Sequence, residues 1–126
     1  MADILVAEDN SAVRMAYRML LNNVGHTITE AVDGTDAVAK LSAGRFDLIV
    51  TDLWMPGIDG FGVIAEAKRR HPATPVLALT GGALSTGAQD PGIRARAAGA
   101  DLVIEKPMLG DGLLAPINAL LAGAAA

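Results

Sequence analysis

Five short apolar runs, each followed by a segment of helical periodicity, restrict the fold of this chain more than any other feature. Four of the runs are almost continuously apolar, which is typical of strands buried on both faces of a parallel sheet. They begin at Ile4, Leu48, Val76 and Leu102. The remaining run, residues 27–31, alternates polar and apolar residues, and this pattern favours a partly exposed edge strand.

The segments between the runs carry apolar residues at the spacing of amphipathic helices. The first of these helices can be capped by Asn10 or Ser11 and ended by Gly25. The apolar positions that mark the other four helices are Ala37, Val38 and Leu41; Phe61, Ile64 and Ala65; Ile93, Ala97 and Ala98; and Leu113, Leu114, Ile117, Leu120 and Leu121. A strand–helix unit repeated five times predicts a doubly wound α/β domain with a five-stranded parallel sheet and helices on both faces. The flavodoxin-like strand order 2-1-3-4-5 puts the alternating second strand at an edge.

The size of the chain predicts a single domain over residues 1–126, with no separate output domain. The longest uncharged stretch, residues 112–126, is shorter than the roughly 20 apolar residues that a membrane span needs, and it contains Pro116. The first residues do not resemble a signal peptide. We therefore expect a cytoplasmic protein that does not associate with membranes.

Composition excludes several classes of function. Cysteine is absent, which excludes disulfides, thiol nucleophiles and iron–sulfur clusters. His26 and His71 are the only histidines, so a histidine-rich metal site is not expected. The net charge of −4 provides no basic surface for nucleic acid, and we expect no direct nucleic-acid binding.

Charged and polar side chains follow four of the predicted strands at their carboxyl ends, where open parallel sheets bind ligands. Glu8 and Asp9 follow the first strand, and Asp52 ends the third. Thr80 ends the fourth strand, and Lys106 follows the fifth. These four strands are neighbours in the predicted order, so we expect the five side chains to share one crevice.

Three carboxylates in one crevice require a cation. Two unit charges about 4 Å apart repel by roughly 4 kcal/mol at an effective dielectric constant near 20, and Lys106 offers only one positive charge. A set of oxygen donors without imidazole or thiolate favours a hard divalent ion, most plausibly Mg²⁺. Any one of these acids alone is more often a helix cap or a solvated side chain, so the interpretation depends on the whole group. A magnesium site of this kind suits the handling of phosphoryl groups.

The same residues resemble a known family, the receiver domain of two-component response regulators. The resemblance covers essentially the whole chain, and its most specific part is the stretch from Thr51 to Gly60, which reads TDLWMPGIDG. The other matching positions are Glu8, Asp9, Thr80, Lys106 and Pro107.

The resemblance implies that Asp52 accepts a phosphoryl group from a histidine kinase or a histidine phosphotransfer protein. It implies Mg²⁺ as the cofactor, held by Glu8, Asp9, Asp52 and the backbone carbonyl of Trp54. Thr80 and Lys106 would contact the phosphoryl group, and the Lys106–Pro107 bond is a candidate cis peptide. It also implies a signalling module rather than an enzyme, which an unidentified downstream protein reads.

The sequence departs from the family pattern in the region that follows Thr80. Val103 stands where these domains usually carry Tyr or Phe, three residues before the lysine, so output coupling must differ or depend on loop rearrangement alone. Met108 replaces the usual Phe after the Lys-Pro pair, and the interval from Thr80 to Lys106 is longer than usual. The extra residues fall in a glycine-rich segment, residues 81–92, which is predicted to be a mobile loop.

Other interpretations remain open beside the phosphoacceptor. The absence of an aromatic residue at position 103 keeps a phosphorylation-independent interaction module possible. A Mg²⁺-dependent phosphohydrolase would need a second acid where Trp54 stands, and a flavin phosphate would be repelled by Glu8 and Asp9. The uncharged last helix also raises the prospect of a homodimer formed through the fourth and fifth helices.

Overall fold

Strands and helices alternate along the whole of the computed structural model, which describes residues 2–81, 90–106 and 110–125. The elements in chain order are β1 (Asp3–Ala7), α1 (Ser11–Asn23), β2 (Thr27–Ala31), α2 (Gly34–Ala43), β3 (Leu48–Asp52), α3 (Gly60–Arg70), β4 (Val76–Thr80), α4 (Pro91–Ala98), β5 (Leu102–Glu105) and α5 (Asp111–Ala125). All five predicted strands and all five predicted helices are present.

The five strands form one parallel sheet in the order β2-β1-β3-β4-β5, which confirms the predicted topology. β3 and β4 lie in its centre and are buried at every residue. β2 is an edge strand that is exposed or half-buried over most of its length, as its alternating pattern predicts. The prediction that β5 is buried on both faces is wrong: residues 102–104 are half-buried, because β5 forms the other edge.

Helices cover both faces of the sheet, so there are two apolar cores. One core joins the helices α1 and α5 to the sheet through Tyr17, Leu21, Leu113 and Ile117. The other packs α2, α3 and α4 against the opposite face and includes Leu41, Ile64 and Ala95. This sandwich holds the carboxyl ends of β1, β3, β4 and β5 side by side.

Side-chain caps set where four of the helices begin. The oxygens of Asn10, Asp33, Asp59 and Asp90 accept hydrogen bonds from backbone amides in the first turns of α1, α2, α3 and α4. Asn10, rather than Ser11, is therefore the cap of α1. That helix ends at Asn23, two residues before Gly25, whose φ of 96° suits glycine.

The structure corrects the predicted buried faces of two helices. On α4, Ile93 is 50% exposed and Ala97 is exposed, whereas Gly92 and Ala95 are buried. α4 therefore presents its smallest residues to the core, which brings the helix close to its neighbours. On α3 the predicted Ala65 is exposed, because Ile64 already points into the core.

The last helix also differs in one respect from expectation. Pro116 is tolerated most easily in the first turn of a helix, where no amide bond is lost. It is instead the sixth residue of α5, which starts at Asp111. Its ring removes the amide that would bond to the carbonyl of Gly112, a residue exposed to solvent.

Several predictions concern residues outside those that the structure describes. The mobile-loop prediction falls mainly on residues 82–89, and the cis-peptide and Met108 observations fall on residues 107–109. Within the described ranges, no helix combines the length and apolar character required to span a membrane.

Candidate functional site

The acidic side chains predicted to share a crevice do meet at the carboxyl end of the sheet. One carboxylate oxygen each from Glu8, Asp9 and Asp52 lies within 4.8 Å of the others. Glu8 and Asp52 are 1% and 4% exposed, and Asp9 is exposed to solvent. Thr80 is buried at the end of β4, next to β3 in the sheet. The acidic cluster is therefore open on one side, where Asp9 faces solvent.

Lys106 reaches across the sheet to join this cluster. Its Nζ donates hydrogen bonds to Glu8 Oε1 at 2.5 Å and to Asp52 Oδ2 at 3.1 Å. Its backbone amide donates to the carbonyl of Thr80 at 2.7 Å, which keeps the residue after β5 beside the end of β4. The ammonium group thus contacts two carboxylates at the carboxyl ends of β1 and β3.

Burial and ion pairing act in opposite directions on the titratable groups here. Burial raises the pKa of Glu8 above its ordinary value, although the hydrogen bonds from Lys106 and the Asn10 amide oppose this. Burial also acts to lower the pKa of Lys106, but its bonds to Glu8 and Asp52 outweigh that effect, and the pKa of Lys106 is raised. The lysine is therefore a permanent positive charge near neutral pH.

Arg14 supports the cluster from α1 and was not predicted from the sequence. Its Nη1 donates to the backbone carbonyl of Glu8 at 2.8 Å, and its Nε pairs with Glu30 at 3.2 Å. The Asn10 amide donates to Glu8 Oε2 at 3.0 Å. Spacing along the chain gives no signal for this residue, because the contact depends on where the Arg14 side chain points.

The loop between β3 and α3 is held tightly around Asp52. The Leu53 amide donates to the carbonyl of Leu79, and the Gly60 amide donates to the carbonyl of Leu53. A Cβ atom at Gly60 would lie only 2.1 Å from the carbonyl oxygen of Asp52, so this position requires glycine. α3 therefore starts in direct contact with the backbone of the acidic cluster.

Trp54 lies two residues after Asp52 in this loop and is 48% exposed. Its amide lies 3.4 Å from Asp52 Oδ1, while its ring meets the ring of Phe61 edge-on at a centroid distance of 5.6 Å. The guanidinium carbon of Arg94, on α4, lies 4.1 Å from the centre of the Phe61 ring. Met55, the next residue, is 9% exposed and part of the core.

The two histidines and Val103 take part in contacts outside the acidic cluster. His26 Nδ1 accepts a hydrogen bond from the Ala2 amide, and His71 Nε2 lies 3.1 Å from the carbonyl of Leu41. Val103 is partly buried and packs against the core beneath α4. A cavity of about 440 Å³ opens at the amino end of the sheet beside Arg45 and His71, remote from the carboxylates.

A family model and curated relatives both relate this chain to response regulators. Residues 4–118 match the family model described as the response regulator receiver domain. The transcriptional regulatory protein TcrA of Mycobacterium tuberculosis is 39% identical over 117 residues, which are 93% of this chain and 45% of TcrA. The transcriptional regulatory protein ResD of Bacillus subtilis is 35% identical over 118 residues, which are 94% of this chain and 47% of ResD. The chain thus spans about half the length of these curated relatives.

Solved structures show the same fold. The chemotaxis response regulator CheY4 of Vibrio cholerae superposes with a TM-score of 0.85 at 29% identity, covering 95% of this chain and 98% of CheY4. A CheY-like receiver domain protein of Methanospirillum hungatei has a TM-score of 0.91 at 23% identity, covering 99% and 97% of the two chains. The second likeness is evidence for the fold alone.

Proposed function

The chain belongs to the response regulator receiver domain family of two-component systems, and we propose from this premise that Asp52 is its phosphoacceptor. The observation that carries the proposal is the position of Asp52, which lies beside the Glu8 and Asp9 carboxylates and contacts the ammonium group of Lys106. The donor we propose is a histidine kinase or a histidine phosphotransfer protein. Phosphorylation then changes the contacts of this domain with a downstream protein.

The donor atoms fit Mg²⁺. The cluster offers only carboxylate oxygens, three of which are close enough to share one ion, and Glu8 is buried against them. We propose Glu8, Asp9 and Asp52 as the ligands, together with the backbone carbonyl of Trp54. The ion, when bound, supplies positive charge that offsets the negative charge of the phosphoryl oxygens.

The chemical step is a transfer between a phosphohistidine and Asp52. A carboxylate oxygen of Asp52 forms a bond to phosphorus while the phosphorus–nitrogen bond breaks, and the imidazole leaves with the electron pair. Lys106 already contacts Asp52 and supplies a cation for the transferred oxygens. Thr80, at the end of the adjacent strand, supplies a hydroxyl donor to the same group.

Transfer to Asp52 changes the local charge and thereby the surface. A phosphoryl group carries about −1.5 to −2 charges at neutral pH and three strong acceptor oxygens. The added charge shifts an existing equilibrium of the loops and of α4, and another protein binds the altered surface. That residues 1–126 act without an output domain stays a prediction.

The proposal is tested by intact-mass spectrometry after incubation with acetyl phosphate and Mg²⁺. The wild-type chain is expected to gain a single phosphoryl group, whereas Asp52→Asn and metal-free samples gain none. Asp47→Asn, which alters an exposed acid at the amino end of the sheet, is the matched control and is expected to behave as wild type. Absence of an adduct both here and with a phosphorylated histidine phosphotransfer protein would favour the phosphorylation-independent module.

We also propose that a second copy of the chain binds through α4 and α5. Ile93 is half exposed on α4. Ala115, Ala119 and Ala122 are exposed on α5, within residues 112–125, which carry no charged side chain. Sedimentation velocity of phosphorylated and unphosphorylated protein tests this. A dimer that Ile93→Lys abolishes would support the interface, and a monomer at all concentrations would refute it.

A further inference from the structure

We propose that Trp54, Phe61 and Arg94, called here the aromatic–arginine triad, transmit the phosphorylation state of Asp52 to α4. Phe61 and Arg94 act in this as positioning residues, since neither touches the reacting atoms. The inference deepens the proposed function and rests on it in one respect: phosphorylation of Asp52 is the event transmitted.

The aromatic–arginine triad connects the loop after β3, the helix α3 and the helix α4 in a continuous series of contacts. The Trp54 amide faces Asp52 Oδ1 at 3.4 Å, so the backbone of this residue contacts the phosphoacceptor directly. Its indole ring meets Phe61 of α3 at an interplanar angle of 76°, the edge-to-face arrangement that aromatic pairs prefer. Arg94 of α4 lies over the Phe61 ring at 4.1 Å, within range for a cation–π interaction.

Aromatic side chains are scarce in this chain, which makes the contact between two of them informative. The chain has four aromatic residues. Tyr17 is buried in the core on the side of α1 and α5, and Phe46 lies before β3 at the amino end of the sheet. Among the described residues, Trp54 and Phe61 are therefore the aromatic pair next to the acidic cluster.

α4 is packed against the core by little apolar surface, so a change near Asp52 can shift it. The residues that it buries are Gly92 and Ala95, and its one large apolar side chain, Ile93, is half exposed. A helix anchored by so little apolar surface shifts or opens at a low free-energy cost. The contact between Arg94 and Phe61 therefore adds a side-chain link between α4 and α3 to a core contact made by small residues.

A change at Asp52 reaches this contact through the Trp54 backbone. Phosphorylation attaches a bulky, more negative phosphoryl group to a carboxylate oxygen of Asp52, close to the Trp54 amide. Because Leu53 and Gly60 anchor the loop on either side, movement is concentrated at Trp54 and its ring. A shifted indole alters the packing of Phe61. The strength of the contact between Arg94 and the Phe61 ring then changes.

The test is amide hydrogen exchange of α4, measured on the full chain by mass spectrometry. Samples contain no metal, Mg²⁺ alone, or Mg²⁺ with acetyl phosphate, and intact mass reports the phosphorylated fraction in each. The variants are Arg94→Ala and Phe61→Leu, with Phe61→Tyr as the conservative replacement that keeps the ring. Arg96→Ala is the matched control, since Arg96 is an exposed arginine on the same helix.

In the wild type we expect α4 exchange rates to change about two- to fivefold on phosphorylation, the factor that a surface cation–π contact is worth. Arg96→Ala and Phe61→Tyr are expected to keep that response. Arg94→Ala and Phe61→Leu are expected to lose it while gaining the phosphoryl group as readily as the wild type.

The result that overturns the coupling is an equal α4 response in all variants, or none in the wild type, with the phosphoryl group present. A wild-type chain that gains no phosphoryl group contradicts the proposed function instead. In that case the coupling is judged by the same comparison with Mg²⁺ alone. An α4 response to Mg²⁺ that Arg94→Ala removes would support it, and a response that survives in this variant would overturn it.

Discussion

Lys106 is the cation that makes the metal-free acidic cluster compatible with the folded state. Its ammonium group contacts Glu8 and Asp52, which are buried and come from two adjacent strands. Without it, two carboxylates would face each other in an environment that solvates them poorly. Removing one member of a buried, hydrogen-bonded set of charges is costly because the others are left uncompensated.

We therefore expect Lys106→Met to lower the free energy of unfolding by about 3 kcal/mol in the presence of EDTA. The rate of phosphorylation by acetyl phosphate and Mg²⁺ should fall by about a hundredfold, since the cation for the transferred oxygens is lost. Urea denaturation and intact-mass time courses measure the two effects. Lys68→Met removes a lysine paired with Asp101 at the other end of the sheet and should leave the phosphorylation rate unchanged.

Glu8 gives the stability of the metal-free protein a distinctive pH dependence. Burial raises its pKa above 4.5 in the folded chain, whereas in the unfolded chain it has the ordinary value. Between these two pKa values the native state binds more protons than the unfolded state. The contribution of Glu8 to the free energy of unfolding is therefore greatest below pH 4.5, and it is lost as the pH rises through the folded pKa.

The difference in unfolding free energy between wild type and Glu8→Gln isolates this contribution. Measured by urea denaturation in EDTA, wild type should lose stability relative to the variant as the pH rises from 4 to 7. The loss is about 1.4 kcal/mol for each unit by which the pKa is raised. Glu30→Gln, at a half-buried glutamate paired with Arg14, is the control. A difference that does not change with pH would contradict the assignment.

At the scale of elements, the sequence is most informative where burial is complete. β3 and β4 are buried at every residue, so their unbroken apolar runs identify them without ambiguity. The run at Leu102 has the same character, yet β5 lies at an edge, because strand order is decided by packing across the whole sheet. α4 was located correctly, but its buried face was not. A helix that buries Gly92 and Ala95 carries no apolar periodicity to read.

In the candidate site too, some residues can be predicted from the sequence, whereas others depend on tertiary packing. Glu8, Asp9, Asp52, Thr80 and Lys106 were identifiable because parallel topology brings the carboxyl ends of neighbouring strands together. The contacts of Arg14 with Glu8, and of Arg94 with Phe61, depend on where long side chains point across separate elements. Spacing along the chain does not determine such directions.

The corrected face of α4 leads to opposite expectations for two neighbouring positions. Ala95→Leu inserts three carbon atoms into a filled core and should lower the free energy of unfolding by about 1–3 kcal/mol. Ile93→Ser alters a half-exposed side chain and should change it by less than about 0.5 kcal/mol. Urea denaturation of both variants measures the two changes in the free energy of unfolding. A larger loss for Ile93→Ser than for Ala95→Leu would restore the face predicted from the sequence.

For the molecule as a whole, folding concentrates negative charge that the unfolded chain keeps apart. Glu8 and Asp9 meet Asp52 only when β1 and β3 pair. The chain as a whole is also negatively charged, with a net charge of −4, so it does not offset the charge of the cluster. The folded state alone brings together the carboxylates that we propose as a magnesium site. On that proposal, Mg²⁺ binding and global stability are linked through mass action, independently of phosphorylation.

This linkage predicts that Mg²⁺ at 100 times its dissociation constant raises the free energy of unfolding by about 2.7 kcal/mol. Asp9→Asn removes an exposed proposed ligand without disturbing the Lys106 contacts, so it should weaken the stabilisation by Mg²⁺. The metal-free variant should be at least as stable as wild type, because one negative charge is removed from the cluster. Asp47→Asn keeps the same net charge as that variant and should retain the full effect, which separates binding at the cluster from general screening. Thermal unfolding across a Mg²⁺ titration, with fluorescence of Trp54 as an independent measure of binding, gives both quantities. Equal stabilisation of all three proteins would mean that the ion acts on the overall charge of the chain, and the proposed magnesium site would have to be abandoned.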